Sequence, residues 1–290
     1  MIRLDSALPD HFLVLERRES FEDYARAYGD SIAEHYENRG VVVVPWMPID
    51  FDRRFFLDLK MPARWKKIGT INGIERPVLA ADGKPDARHP FVSGFQDLES
   101  ARHAQEEIAR FNSQLRRGLA MLLAPYRRIL EGNISWRLCE TLEEGLHVDV
   151  FNRGRPMDPE YRSLHRIKIF INIDDEPRRW RTSLDLPGIL ERARGVLPRA
   201  LPDDVNVVND LIDKLDALKD APAHKVDYPT LSAVLVNSEL VAHEVLYGRR
   251  MIAGEFACSR DDMLDPDKHS YGCLARWIQD AGYSIDPDAA

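Results

Sequence analysis

Apolar positions in the first third of the chain recur with the period of a helix. Ser20-Phe21-Glu22-Asp23 reads as a capping box, in which the Ser20 side chain meets the free N–H groups of a first turn. Tyr24, Ala27, Tyr28, Ile32 and Tyr36 then share one face, which predicts a helix running to about Asn38. Gly40 ends it, and Val41-Val42-Val43-Val44 before Pro45 reads as a buried strand. Residues 62–97 are rich in turn formers, among them Asn72-Gly73 and Asp82-Gly83, and predict hairpins or irregular structure. A second long helical pattern covers about 98–124 and stops near Pro125.

From Asn133 the period shortens to two. Residues 134–141, 146–151 and 166–173 read as strands, the second and third separated by a loop rich in Asn, Arg, Gly and Pro. Residues 186–221 return to helical spacing with several prolines, as an insertion between strands would. Further strands are expected at 231–236, as a pair around 241–247, and at 251–256, before a closing helix over 274–281 that Gly282 ends. The expectation is one α+β domain over residues 1–290. It has a helical N-terminal part of about 1–130, a β core of about 133–260 holding a helical insertion at about 186–221, and a sandwich or barrel arrangement of strands.

With 44% hydrophobic and 30% charged residues, the composition is that of a globular chain. A net charge of −8 argues against nucleic-acid binding driven by phosphate contacts, although Arg178-Arg179-Trp180-Arg181 forms a local basic patch. The apolar runs are far too short to span a bilayer, and the start has no apolar segment followed by a small-residue cleavage site, so a cytoplasmic location is expected. Cys139, Cys258 and Cys273 have no C-x-x-C spacing and read as small buried thiols.

Among the nine histidines, His147 stands two residues before Asp149 on an expected strand. Residues i and i+2 of a strand point to one face, so both side chains would reach one point. A histidine and a carboxylate on one strand, with a second histidine from elsewhere, is the set that holds Fe(II) facially and leaves positions open for a bidentate 2-oxo acid and O2. The distal histidine must come from a later element: His165, His224, His243 or His269. His165 begins a strand too close in sequence, His224 falls in a proline-containing loop, and His269 lies beyond the strands and looks exposed. His243, among β-formers and followed by arginines, is preferred. A 2-oxo acid also needs a cation for its distal carboxylate. Arg249, Arg250, Lys168, Arg166 and Arg137 are candidates, each equally readable as a solvated surface charge, with Lys168 the least so among Ile167, Ile169 and Phe170. His35-Tyr36-Glu37 is an H-x-E on a predicted helix, where i and i+2 diverge, and reads as surface.

Ser135-Trp136-Arg137, Leu146-His147-Val148-Asp149, the strand ending Phe170-Ile171-Asn172-Ile173, and Pro177-Arg178-Arg179-Trp180-Arg181 together resemble the Kdo hydroxylase family, from about Gly40 to Gly282. Those enzymes use Fe(II) and 2-oxoglutarate to hydroxylate the 3-deoxy-octulosonic acid sugar (Kdo) of the lipopolysaccharide inner core. The resemblance implies a double-stranded β-helix (jelly-roll, cupin-like) core and His147, Asp149 and His243 as iron ligands. It also favours Lys168 as a contact of 2-oxoglutarate or substrate. The chain departs from the family in a longer segment after the H-x-D, in the acids Glu143-Glu144 before it, and in Arg249 where a neutral polar residue is expected.

The reading is thus an Fe(II)/2-oxoglutarate dioxygenase that uses O2 to hydroxylate an unactivated C–H, with Kdo of a lipid A precursor as first substrate and an amino acid or other soluble metabolite as second. A lipid-linked substrate would bring a peripheral contact with the cytoplasmic face of the inner membrane, although no basic amphipathic helix is evident to make it. A homo-oligomer is left open. The rival from another class is a non-catalytic β-sandwich binding protein in which His147 and Asp149 form a structural pair.

Overall fold

The structure is a computed structural model. It describes residues 3–4, 11–59, 70–71, 74–75, 78–80, 82–84, 95, 97–138, 140–142 and 144–286. Strands β1 (Arg3–Leu4) and β2 (Phe12–Val14) precede the first helical segment. There the capping box forms as expected, the Asp23 N–H donating to Ser20 Oγ at 3.1 Å. The single helix predicted to Asn38 is two helices, α1 (Phe21–Tyr28) and α2 (Ser31–Glu37). Gly29 is the reason: at φ +51° it enters the left-handed region that costs a glycine little, and its N–H closes α1 on Ala25 O. The surface reading of His35-Tyr36-Glu37 is also corrected. Tyr36 and Glu37 are buried, and the Glu37 carboxylate accepts the Leu264 and Asp265 N–H groups at 2.8 and 2.9 Å.

Strand β3 (Val41–Val44) is buried throughout because both its faces are covered. Val42 and Val44 join the core under the helices, while Val41 and Val43 join a second core on the opposite side. Helix α3 (Arg53–Asp58), the hairpin strands β4 (Thr70–Ile71) and β5 (Ile74–Glu75), and the long α4 (Leu98–Leu122) follow. The expected turn Asn72-Gly73 lies outside the described residues, as do Cys139 and Glu143.

The β-rich part comprises β6 (Leu130–Arg137), β7 (Thr141–Leu142), the short α5 (Pro159–Arg162), β8 (Leu164–Asn172) and β9 (Arg178–Asp185). The insertion then supplies α6 (Leu186–Ala193), β10 (Ala200–Leu201) and α7 (Val205–Lys214). The chain closes with β11 (His224–Tyr228), β12 (Ala233–Leu235), β13 (Val241–Gly248), β14 (Met251–Ser259), α8 (Ser270–Asp280) and β15 (Ser284–Ile285). Three expectations need correction. The pair around 241–247 is one strand, His224 sits in a strand paired with β9 and not in a loop, and α8 begins at Ser270, so His269 is its buried N-cap.

Two main sheets of the described strands, a larger one ordered β2-β3-β12-β8-β14-β6 and a smaller one ordered β1-β11-β9-β13-β7, are antiparallel except where β2 meets β3; the antiparallel β4-β5 and the parallel β10-β15 are separate pairs. Period-two alternation in β8 divides the interior. Ile167, Ile169 and Ile171 face the helices, where Phe111, Leu115 and Trp136 meet them. Phe170 faces the smaller sheet and packs in a core with Trp180, Val234, Val245 and Ala253. Each fully buried side chain of this kind contributes roughly 1.5–3 kcal/mol of transfer free energy. The insertion helices close the same core through Leu186, Ile189, Val208 and Ile212, which brings α7 against the segment that carries His147.

Candidate metal centre

Residues 146–151, expected as a strand, form only an isolated bridge at His147, which corrects that expectation. The neighbour on the far side is helix α7, so side-chain amides take the place of a second ladder. The backbone is nevertheless anchored along the start of β13. His147 and His243 exchange N–H···O bonds of 3.1 and 2.9 Å, and the Asp149 N–H donates to Ser238 O at 2.8 Å. This pairing directs His147 and Asp149 to the same side, toward His243. One ligand atom from each of the three lies within 4.8 Å of the others, and among the described residues this is the one such cluster of His, Cys, Asp and Glu side chains.

The rings are oriented for ligation. His147 Nδ1 meets Gly145 O at 2.8 Å and His243 Nδ1 meets Val241 O at 3.1 Å. A carbonyl oxygen can only accept, so each Nδ1 carries the proton and each Nε2 keeps its lone pair, the arrangement that orients metal-binding imidazoles. Trp180 stacks on His243 at 5.7 Å between ring centroids and 25° between planes. Burial, opposed by Asp149 and helped by the Lys168 charge, lowers the His243 pKa to about 4, so its imidazole is neutral at pH 7. Burial of Asp149 works toward protonation. The Lys168 ammonium, 2.5 Å from Asp149 Oδ2, outweighs it and holds the carboxyl well below the usual range. Two imidazoles held through Nδ1 and an ionised carboxylate are a donor set suited to Fe(II), and the residues present fit the ion.

A cavity of about 590 Å³ opens on these ligands, walled by Phe170, Trp180 and Val245 and by the cations Arg137, Arg153, Lys168 and Arg178. Lys168 is committed to Asp149 and lies 3.5 Å from Glu255. Arg153 is committed to Asp213 at 3.2 Å. Arg137, the last residue of β6, makes no ion pair among the described residues, and its buried Nε has no hydrogen-bond partner there. Arg249 and Arg250 do not line this cavity. Both turn to Asp174, Arg249 through bonds of 2.6 and 3.1 Å and Arg250 at 3.4 Å. Arg166 pairs with buried Glu239 at 2.8 Å.

Arg178 is a buried wall cation that the sequence reading did not single out as a site residue. Its buried side chain lies beside Gly248, where a Cβ would sit 2.1 Å from Nη1. The signal was present in the alternation of β9. Once Trp180 points inward, Arg178, two residues earlier, must do the same.

No family model and no curated protein matches the sequence. Solved structures do. A crystal structure of the Kdo hydroxylase KdoO, a non-haem Fe(II) α-ketoglutarate-dependent dioxygenase, in complex with α-ketoglutarate and Fe(III) superposes with a TM-score of 0.69 at 18% identity, covering 94% of this chain and 96% of that one. The cobalt(II) complex gives 0.69 and the complex with succinate and Fe(III) 0.67, each at 18% identity over 93% and 96% of the two chains. The fold is that of the Kdo hydroxylase structures. At this identity the likeness concerns the path of the chain.

Proposed function

We propose that this chain is an Fe(II)/2-oxoglutarate-dependent hydroxylase forming a single domain over residues 1–290. The observation that carries the reading is the meeting of His147, Asp149 and His243 within 4.8 Å on a walled cavity, with both imidazoles fixed through Nδ1. The order of strands in the two sheets, with β8, β12 and β14 in one and β9, β11 and β13 in the other, supports a double-stranded β-helix core. Bound Fe(II), with 2-oxoglutarate and O2, would supply the oxidising chemistry that replaces a C–H hydrogen by hydroxyl while the 2-oxo acid becomes succinate and CO2.

The protein's part is to hold the ion and wall the space beside it. His147, Asp149 and His243 would hold the ion at the wall of the cavity. Phe170, Trp180 and Val245 form the apolar part of the cavity wall beside these ligands. Arg137 is a wall cation placed to meet the distal carboxylate of 2-oxoglutarate, and Lys168 keeps Asp149 ionised. The solved Kdo hydroxylases make a Kdo sugar the first substrate to try, in a lipid A precursor reached from the cytoplasmic side. Among the described residues no helix is long and apolar enough to cross a membrane, so contact with such a lipid would be peripheral. A non-catalytic binding protein leaves the convergence of two free Nε2 atoms and a carboxylate on the cavity without a purpose.

Anaerobic protein given Fe(II) and 2-oxoglutarate is expected to develop the weak visible metal-to-ligand charge-transfer band. In air it should release succinate and add one oxygen atom to a Kdo-containing lipid A precursor, read by mass spectrometry. His147→Ala, Asp149→Ala and His243→Ala should each abolish the band. A wild-type chain with no band and no succinate would sink the oxygenase reading, and succinate without modified Kdo would sink only the substrate.

A further inference from the structure

Helix α7 presents two asparagines, Asn206 and Asn209, three residues apart and therefore on one face. Both are buried, and both bond to main chain of the segment that carries His147 and Asp149. Their targets differ. Asn206 Oδ1 accepts the Phe151 and Asn152 N–H groups at 2.7 and 3.2 Å, and its Nδ2 donates to Asn152 O and Arg155 O at 3.3 and 2.7 Å. It therefore ties down the loop beyond the metal ligands. Asn209 Nδ2 donates one hydrogen to Asp149 O at 3.0 Å and the other to Glu239 O at 2.9 Å. One amide nitrogen thus joins the backbone of a ligand residue to the turn that leads into β13 and His243.

We infer that Asn209 is a positioning residue for the metal centre, setting the separation of the Asp149 and His243 segments from the insertion helix. The inference rests on the metal-centre reading proposed above. Residues 148–150 lie in no strand, so no full ladder fixes Asp149 relative to β13. The Asp149 N–H reaches Ser238 O on one side, and Asn209 holds the Asp149 carbonyl on the other. Asn209 Oδ1, by contrast, is buried with no hydrogen-bond partner among the described residues. Buried polar atoms are nearly always paired, so a side chain serving packing alone would be better replaced by an apolar one. The geometry uses the donors and leaves the acceptor idle, which is what a bridge between two carbonyls requires.

The test compares three variants with Co(II) as the probe. Asn209→Ala removes the amide, Asn209→Leu removes the donors while nearly keeping the volume, and Asn206→Ala removes a comparable set of bonds that touch no metal ligand. Co(II) affinity and the visible Co(II) bands are measured beside the thermal midpoint of the metal-free proteins. Loss of a group that orients a ligand typically weakens metal binding by about 10- to 100-fold. Both Asn209 variants should show that loss with altered bands, while Asn206→Ala lowers the midpoint but binds Co(II) as the wild type does. Wild-type affinity in the Asn209 variants, an equal loss in Asn206→Ala, or failure of both Asn209 variants to fold would overturn the inference. If the wild-type chain itself bound no Co(II), the metal-centre reading would fall first, a result distinct from normal binding by the variants.

Discussion

Replacing Lys168 by methionine tests how the charge of the candidate centre is held before any ion arrives. The Lys168 side chain is 9% exposed and its ammonium lies 2.5 Å from Asp149 Oδ2. Removing one partner of a buried pair costs about 3–5 kcal/mol, because the charge left behind is uncompensated. Asp149 keeps 22% of its side chain exposed, which places the expectation at the lower end, about 3 kcal/mol. At about 2–4 °C per kcal/mol for a chain of this size, the metal-free midpoint should fall by roughly 6–12 °C. Urea unfolding and calorimetry of metal-free Lys168→Met against wild type would measure both numbers. The sign with pH follows from the depressed Asp149 carboxyl. In wild type it contributes stability that is present above the unfolded value of 3.8 and is lost as the pH falls through its lower folded value. In Lys168→Met burial dominates and raises the carboxyl, so that acid-side loss should disappear. Saturating Co(II) would supply a new cation beside Asp149, and the gap between variant and wild type should narrow. A loss below about 1 kcal/mol, the size of a solvent-exposed ion pair, would refute this account of Lys168.

Two further expectations follow from groups around the site. Arg137→Ala should raise the KM for 2-oxoglutarate by roughly 10- to 100-fold, the worth of a charged hydrogen bond, with a smaller change in kcat. Arg249→Ala, whose guanidinium is held by Asp174, should leave that KM near wild type, and the reverse ranking would exchange their roles. His165, buried away from the cavity between Tyr36 and Tyr126, has its pKa lowered to about 3 from 6.5, first by burial and then by His269. The unfolded chain takes up a proton between those values that the folded one refuses, so stability should fall by about 1.4 kcal/mol per pH unit on acidification through that window. His165→Gln should flatten this slope in acid unfolding curves, and an unchanged slope would show that the proton goes elsewhere.

Period and punctuation made much of the fold legible. The capping box at Ser20, the four valines of β3 and the switch to alternation near residue 133 each reflect a local constraint that tertiary contacts leave standing. The errors arose where a partner outside the window decides. Glu37 looked like a surface acid until two backbone N–H groups from residues 264 and 265 covered it. His269 looked exposed because nothing local reveals that it caps a helix packed into the core. Residues 146–151 have the composition of a strand, but the insertion helix occupies the place of one neighbour. At the site, i and i+2 spacing correctly turned His147 and Asp149 together, and elimination among histidines led to His243. Lys168 stood out because a lysine among Ile167, Ile169 and Phe170 demands an anion, yet only the three-dimensional arrangement names Asp149. The arginines after β13 likewise meet a partner that no local stretch of sequence reveals. Asp174, distant in sequence, claims both Arg249 and Arg250.

The pairing of β3 with β12, which sets Val42 against Leu235, has a consequence for biogenesis. A ribosome adding about 5–20 residues per second exposes the Val41–Val44 strand roughly 10–40 s before its partner emerges. During that interval a short, uncharged, β-branched segment has one face and one edge uncovered, the profile of an aggregation-prone stretch. The β3–β12 pairing joins segments far apart in sequence, and contacts of that kind slow folding. Chaperone holding of nascent chains is therefore expected to govern yield more than final stability does. A message truncated before β12 should therefore give insoluble protein.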